Sequence, residues 1–267
     1  MLQSNHLSLD DEPQIRFCQK VGYVLRYQGY EFKSVFQPIY RIRGDCFGYE
    51  ALVRITDVDS QFVPPDRFFS AIEDDLETCI LIDQWTRKLH FKNYAHFLNE
   101  KSLFINVLPN TLIHEYGSAG HHSMSLNRQQ AESSVFVEVV ESACEDLFSL
   151  QLSTHHLRIK GYHIALDDFG SGYSNARRAA TLCPDIIKID QLLLRRMFKE
   201  ACTLLADAVS YARSINAQIV VEGVETEEEL SAMADLGVDY VQGYYLGHPA
   251  NPVSLSHRHH QCGVLSF

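Results

Sequence analysis

The chain has 267 residues, with 23 basic and 34 acidic side chains and a net charge of −11. This length suits one (β/α)8 barrel or one large α/β domain, and the 46% apolar share excludes wholesale disorder. The negative charge argues against a nucleic-acid polymer as partner, because that binding relies on Lys and Arg neutralising many phosphates. It leaves room for a small phosphate ester held through metal ions.

Residues 1–14 are polar and read as frayed. From Gln14 to Gln28 a helix is expected, with Ile15, Cys18, Val21, Val24 and Leu25 near one face. Eight strands follow, at 34–42, 47–55, 103–108, 135–140, 162–167, 186–190, 218–222 and 239–243. The first two are joined by a short turn through Gly44, so they form a hairpin. The rest are separated by expected crossover helices around 66–98, 142–159, 174–182, 192–215 and 226–236. Thr226 to Glu229 reads as a capping box, and Gly161 and Gly237 stand where helices should stop. Residues 114–133 break the rhythm and read as a polar excursion. One domain results: an α/β (β/α)8 barrel over 34–250, a polar, helical extension over 1–33 and a tail over 251–267.

The seven cysteines are scattered, with no CxxC pair, so neither a zinc site nor a disulfide framework is expected, and a reduced cytoplasm fits. The N-terminal segment carries Asp10, Asp11 and Glu12 and no apolar core, so it does not read as a signal peptide. No stretch approaches the ~20 apolar residues of a membrane span.

Active sites of such barrels gather at the C-terminal ends of the strands. Glu50, Asn106, Glu138, the pair Asp167 and Asp168, Lys188, Glu222 and Gln242 all fall within or at the ends of apolar runs. A carboxylate among Val, Ile and Leu is costly to bury without a cation or donor beside it. Five together argue for a hard cation with oxygen ligands. Adjacent aspartates can serve two cations, and two metals roughly 3.5–4 Å apart suit hydrolysis of a phosphodiester. Lys188 can hold the attacking water and neutralise developing charge. No Ser-His or Cys-His arrangement occupies these strand ends, which argues against a covalent acyl mechanism. The run 168–173 (DFGSGY) is a tight turn that reads, beside the aspartates, as a lid or dimer-contact loop. The paired histidines 121–122 and the HRHH run at 257–260 read as solvated loop and tail, and Trp85 as packing.

Eight segments now fall into a known order: FQPI (36–39), EALVR (50–54), INV (105–107), VEVVE (137–141), LDDFGSGYS (166–174), IKID (187–190), VEGVET (221–226) and QGYYLGHP (242–249). In order and spacing they resemble the EAL-domain cyclic di-GMP phosphodiesterases, over about residues 34–250. The resemblance implies a modified TIM barrel with an antiparallel first strand, and hydrolysis of cyclic di-GMP to linear pGpG with Mg2+ or Mn2+, Ca2+ being inhibitory. It implies Glu50, Asn106, Glu138, Asp167, Asp168 and Glu222 as metal residues, Asp167 bridging. Lys188 would contact the hydrolytic water, with Glu222 as proton acceptor. Gln37, Leu52, Arg54 and Gln242 would line the substrate groove, Arg54 on a phosphate. Glu141 would anchor the 168–174 loop, which carries Ser171, while Asp190 and Glu225 would support the site by hydrogen bonding. A homodimer and a regulatory protein partner are further expectations. The alternative is a weakly catalytic domain acting as a cyclic di-GMP receptor or partner binder.

The sequence departs from the family pattern in places. Val140 stands where the family has Thr between two glutamates, and Leu108 where it has Ser. Ser171 replaces Thr, and 71–75 lacks the usual AExxG pattern. None removes an implied metal ligand, so rate and metal affinity are affected before reaction type.

Overall fold

A computed structural model describes residues 12–116, 133–142, 144, 146–200 and 202–259. Among them lie strands β1 (Gln14–Cys18), β2 (Gly22–Tyr27), β3 (Tyr30–Arg41), β4 (Cys46–Thr56) and β5 (Phe62–Val63), helices α1 (Pro65–Ile72) and α2 (Leu76–Phe97), β6 (Ser102–Val107) and α3 (Pro109–Tyr116). Then come β7 (Val135–Val139), α4 (Leu147–Ile159), β8 (His163–Phe169), α5 (Ala176–Leu182), β9 (Ile186–Ile189), α6 (Gln191–Glu200) and α7 (Leu204–Ser214). The series ends with β10 (Gln218–Val221), α8 (Glu227–Asp235), β11 (Tyr240–Val241) and α9 (Pro252–His259).

The sheet closes. Its order is β3-β11-β10-β9-β8-β7-β6-β4, with β4 pairing back onto β3. Strands β4, β6, β7, β8, β9, β10 and β11 run parallel, while β3 is antiparallel to both of its barrel neighbours. The fold is the expected modified TIM barrel, and its antiparallel strand comes from the hairpin across residues 42–45.

The expected helix over 14–28 is not there. Residues 14–27 form the antiparallel pair β1 and β2, and β2 adds to the early half of β3. The reason is local: Gly22 takes a left-handed φ of +83° beside the turn, and the Ile, Phe, Val and Tyr content favours strands. The hairpin is clamped to α2 by Asn93, whose Oδ1 accepts from the Tyr23 N–H (2.7 Å) and whose Nδ2 donates to the Tyr23 carbonyl (3.0 Å). Two long expected helices are each broken in two. Asp75 ends the first break by accepting from Thr78 N–H at 3.1 Å, a cap that starts α2. The polar excursion at 114–133 begins later than expected, because α3 runs to Tyr116, and 117–132 lie outside the described residues. Within the expected tail, 252–259 is helical, and Leu255 of α9 is buried.

Other local expectations stand. Thr226 caps α8 by accepting from Glu229 N–H (3.1 Å), and the Glu229 carboxylate reaches back to the Glu225 N–H (2.7 Å). Gly161 and Gly237 take φ of +82° and +71° just after α4 and α8, the left-handed stop that glycine permits.

Candidate active site

Side chains alternate across a strand, so residues two apart share a face. Inside the barrel, Ile39, Phe104, Phe136, Ala165, Ile186, Val220 and Tyr240 form a closed apolar plug. Two positions further along six of the seven parallel strands come Asn106, Glu138, Asp167, Lys188, Glu222 and Gln242, and on β4 Glu50 pairs with Gln37 of β3. On β3, which runs the other way, the equivalent residue lies two positions earlier, at Gln37. The polar layer is therefore the next inward layer above the plug, and the period of the strands alone places it there. Glu222 and Gln242 stand one residue past their strands but stay in register, through Glu222 N–H to Ile189 O (3.1 Å) and Gln242 N–H to Val221 O (3.0 Å).

Lys188 is the centre of this layer. Its side chain is wholly buried, and Nζ lies 2.8 Å from Asp167 Oδ1, 2.8 Å from Glu222 Oε1, 2.9 Å from Glu138 Oε1 and 3.2 Å from Glu50 Oε2. Glu50 is fixed further by Gln242 Nε2 donating to Oε2 (2.7 Å) and Asn106 Nδ2 donating to Oε1 (3.1 Å). Asp168 follows Asp167 with a φ of +49°, an uncommon conformation for a non-glycine residue. This local turn brings carboxylate oxygens of Asp167, Asp168 and Glu222 within 4.8 Å of one another.

The charges are not balanced by one ammonium. Burial comes first in pushing Asp168 up to about 7 and Glu222 up to about 8, with the charge of Asp167 adding to both. Burial also raises Glu138 and Asp167, although Lys188 pulls each down. Glu50 goes the other way: burial would raise it, but Lys188, Gln242 and Asn106 together hold it below the usual carboxylate range. Burial opposes the charge on Lys188, yet Asp167, Glu138, Glu222 and Glu50 keep its pKa well above the ordinary lysine value. Glu138 Oε1 and Asp167 Oδ1 have only the shared Lys188 ammonium beside them, and Glu138 Oε2 is buried without a hydrogen-bond donor. Buried carboxylate oxygens normally have one. Clustered, underbonded carboxylates of this kind fit a divalent cation with oxygen ligands.

Beside the layer lies a cavity of about 240 Å³, lined in part by Gln37, Glu50, Leu52, Glu222, Glu225 and Gln242. Of the four expected substrate-binding residues, Arg54 is the one outside this lining. Its Nη1 donates to the Val53 carbonyl at 2.9 Å. Glu141 Oε1 accepts from the Tyr173 N–H, in the loop after Asp168, at 3.1 Å. Ser171 acts there through its backbone, donating to Asp168 O at 3.0 Å and accepting from Ser174 N–H at 2.9 Å. Asp190 accepts from Leu192 N–H (2.8 Å) at the start of α6, and Glu225 pairs with Arg195 at 2.8 Å. Sequence reasoning missed Gln191 and Tyr244, which also line the cavity. Gln191 adjoins the IKID run and Tyr244 lies within QGYYLGHP, so the motifs themselves were the available signal. It also missed Ser174, whose hydroxyl donates to the Asp167 carbonyl and so steadies the aspartate pair.

A barrel with an acidic, lysine-centred mouth defines a class of sites that fit a divalent cation. The EAL domain family model matches residues 25–249, and the chain belongs to that family. It is 31% identical over 226 residues to the cyclic di-GMP phosphodiesterase PdeF of Escherichia coli K12, covering 82% of this chain and 30% of that protein. The chain thus spans about a third of the length of that relative. Among solved structures, a standalone versatile EAL protein from Vibrio cholerae O395 in a cyclic di-GMP-bound form is similar, with a TM-score of 0.71 and 26% identity over 85% of this chain and 95% of that one. The calcium/cyclic di-GMP complex of Klebsiella pneumoniae BlrP1 has a TM-score of 0.67 and 27% identity, covering 82% of this chain and 56% of the other. Among the described residues, no helix is long and apolar enough to cross a membrane.

Proposed function

We propose that the chain is a metal-dependent phosphodiesterase that opens cyclic di-GMP to linear pGpG. The observation that carries this reading is the buried Lys188 among four carboxylates, with Asp168 completing an acidic trio, at the edge of a cavity. Glu50, Asn106, Glu138, Asp167, Asp168 and Glu222 are the residues that would hold Mg2+ or Mn2+. Bound there, the metal supplies charge stabilisation for the attacking and leaving oxygens of a phosphodiester.

The chain's own groups divide the remaining work. Water adds to phosphorus, the bond to a ribose 3′ oxygen breaks, and that oxygen takes a proton. Lys188 orients the attacking water and offsets negative charge as it builds. Glu222, across the same ammonium at 2.8 Å, accepts the water's proton once the cluster's charge is compensated. Gln37, Leu52 and Gln242 form the wall against which the dinucleotide lies, and Arg54 turns from Val53 onto a phosphate. Asp190 and Glu225 hold the flanking turns. Ca2+, larger and more loosely coordinated than Mg2+, inhibits. The protein acts in the cytoplasm as a homodimer, under control of a protein partner.

The test is chromatography of cyclic di-GMP after incubation with metal-stripped protein, with and without Mg2+ or Mn2+. Metal-dependent pGpG is the expected result. Intact substrate in every condition, with cyclic di-GMP binding retained, would make the chain a receptor.

A further inference from the structure

Arg178 belongs to no motif and lines no cavity described above, yet it is a buried guanidinium, 3% exposed, on the first turn of α5. Two costs attach to that place. Burying a charge is unfavourable without partners, and a cation in the first turn opposes the helix dipole. The partners are specific. Nη2 donates to the Ser142 carbonyl at 2.8 Å and Nη1 to the Val140 carbonyl at 3.4 Å. These two carbonyls straddle Glu141. The guanidinium carbon also stands 5.9 Å from the Tyr173 ring centre.

Glu141 in turn grips the loop after Asp168. Its Oε1 accepts from Tyr173 N–H (3.1 Å), and a Cβ added at Gly172 would sit 1.6 Å from that same oxygen. The contact is close enough that any movement of Glu141 is passed to the loop. Asn175, at the other end of the loop, accepts from the Arg177 and Arg178 N–H groups and so fixes the helix from which Arg178 reaches back. A circuit results: loop, Glu141, the 140–142 backbone, Arg178, α5, and the loop again.

We propose that Arg178 is a positioning residue, which clamps the backbone on both sides of Glu141 so that the 168–174 loop presents Asp168 to the acidic cluster. The role assigned to Asp168 rests on the phosphodiesterase reading; the clamp itself does not. A purely packing role would affect global stability and nothing local, which separates the two accounts.

The experiment is hydrogen exchange, followed by mass spectrometry, on the full chain and on Arg178→Met and Arg178→Lys, with Mn2+ titration calorimetry and thermal melting alongside. In Arg178→Met, exchange over 168–174 is expected to speed up roughly tenfold or more relative to the β2–β3 hairpin, the change that follows loss of a hydrogen bond to a charged group. Mn2+ binding weakens several-fold, and Arg178→Lys falls between. If Arg178→Met does not fold, the same local change in Arg178→Lys supports the clamp. Loop exchange that is unchanged, or that rises only in step with every other segment, overturns it in either variant. A wild-type protein that leaves cyclic di-GMP intact would defeat the phosphodiesterase reading and leave the exchange comparison standing.

Discussion

At the mouth of the barrel, four carboxylates share one ammonium, and the consequences fall on single residues. Glu50 receives Lys188, Gln242 and Asn106 at once, so its removal leaves the cluster with one ligand fewer and two amides without an acceptor. Glu50→Ala is expected to lower pGpG formation by about a hundredfold or more while melting near the wild-type temperature. Unchanged turnover would refute the assignment. Lys188→Met removes the cation among four carboxylates, three of them buried, a loss of the kind that costs about 3–5 kcal/mol when one partner of a buried pair is deleted. The metal-stripped variant should melt well below wild type and recover more than wild type does on adding Mn2+. Equal recovery would show that the ammonium and the metal do not serve the same charges. Their places within or at the ends of short apolar runs made these residues legible in the sequence. Arg54 was less so, because the sequence fixes its strand and not the direction its long side chain takes. The left-handed φ of Asp168 had only a weak signal in residue type, Asp tolerating it better than most residues.

Among the elements, α2 does more than cover the sheet. His90 and Asn93 on α2 bond Ser34 of β3, at 2.9 Å through His90 Nδ1 and 3.1 Å through Asn93 Nδ2, and Asn93 also holds β2. Burial pushes the His90 pKa down from 6.5 to about 3. Between those values the unfolded chain takes up a proton that the folded chain does not. This contribution to stability is therefore complete above about pH 6.5 and is lost progressively as pH falls toward 3. Urea unfolding from pH 7 to 4 should show His90→Phe with a shallower acid slope than wild type, by up to ~1.4 kcal/mol per pH unit. Parallel slopes would contradict it. This is also the region where sequence reasoning went astray. Ile15, Cys18, Val21, Val24 and Leu25 satisfy a helical spacing, but a strand pair of five and six residues around a glycine turn satisfies the same spacing. What decides between them is the side of β3 left open for pairing, a tertiary fact. The barrel strands were read within a few residues because each is a short apolar run closed by a helix or, for β3, by the hairpin turn.

For the molecule as a whole, the acidic mouth sets its dependence on cations. Replacing Mg2+ by Ca2+ in the turnover assay is expected to suppress pGpG, since the fixed carboxylates suit a compact ion better than a large one. Faster turnover in Ca2+ would count against the cluster as the metal site. The plug of Ile39, Phe104, Phe136, Ala165, Ile186, Val220 and Tyr240 has its own consequence. It makes the barrel a cup with a floor rather than a tunnel. Whatever enters over the rim must leave over the same rim, so spent product and fresh substrate queue at one doorway. A neighbour that merely leans across that opening would halt arrivals and departures together without touching any group below.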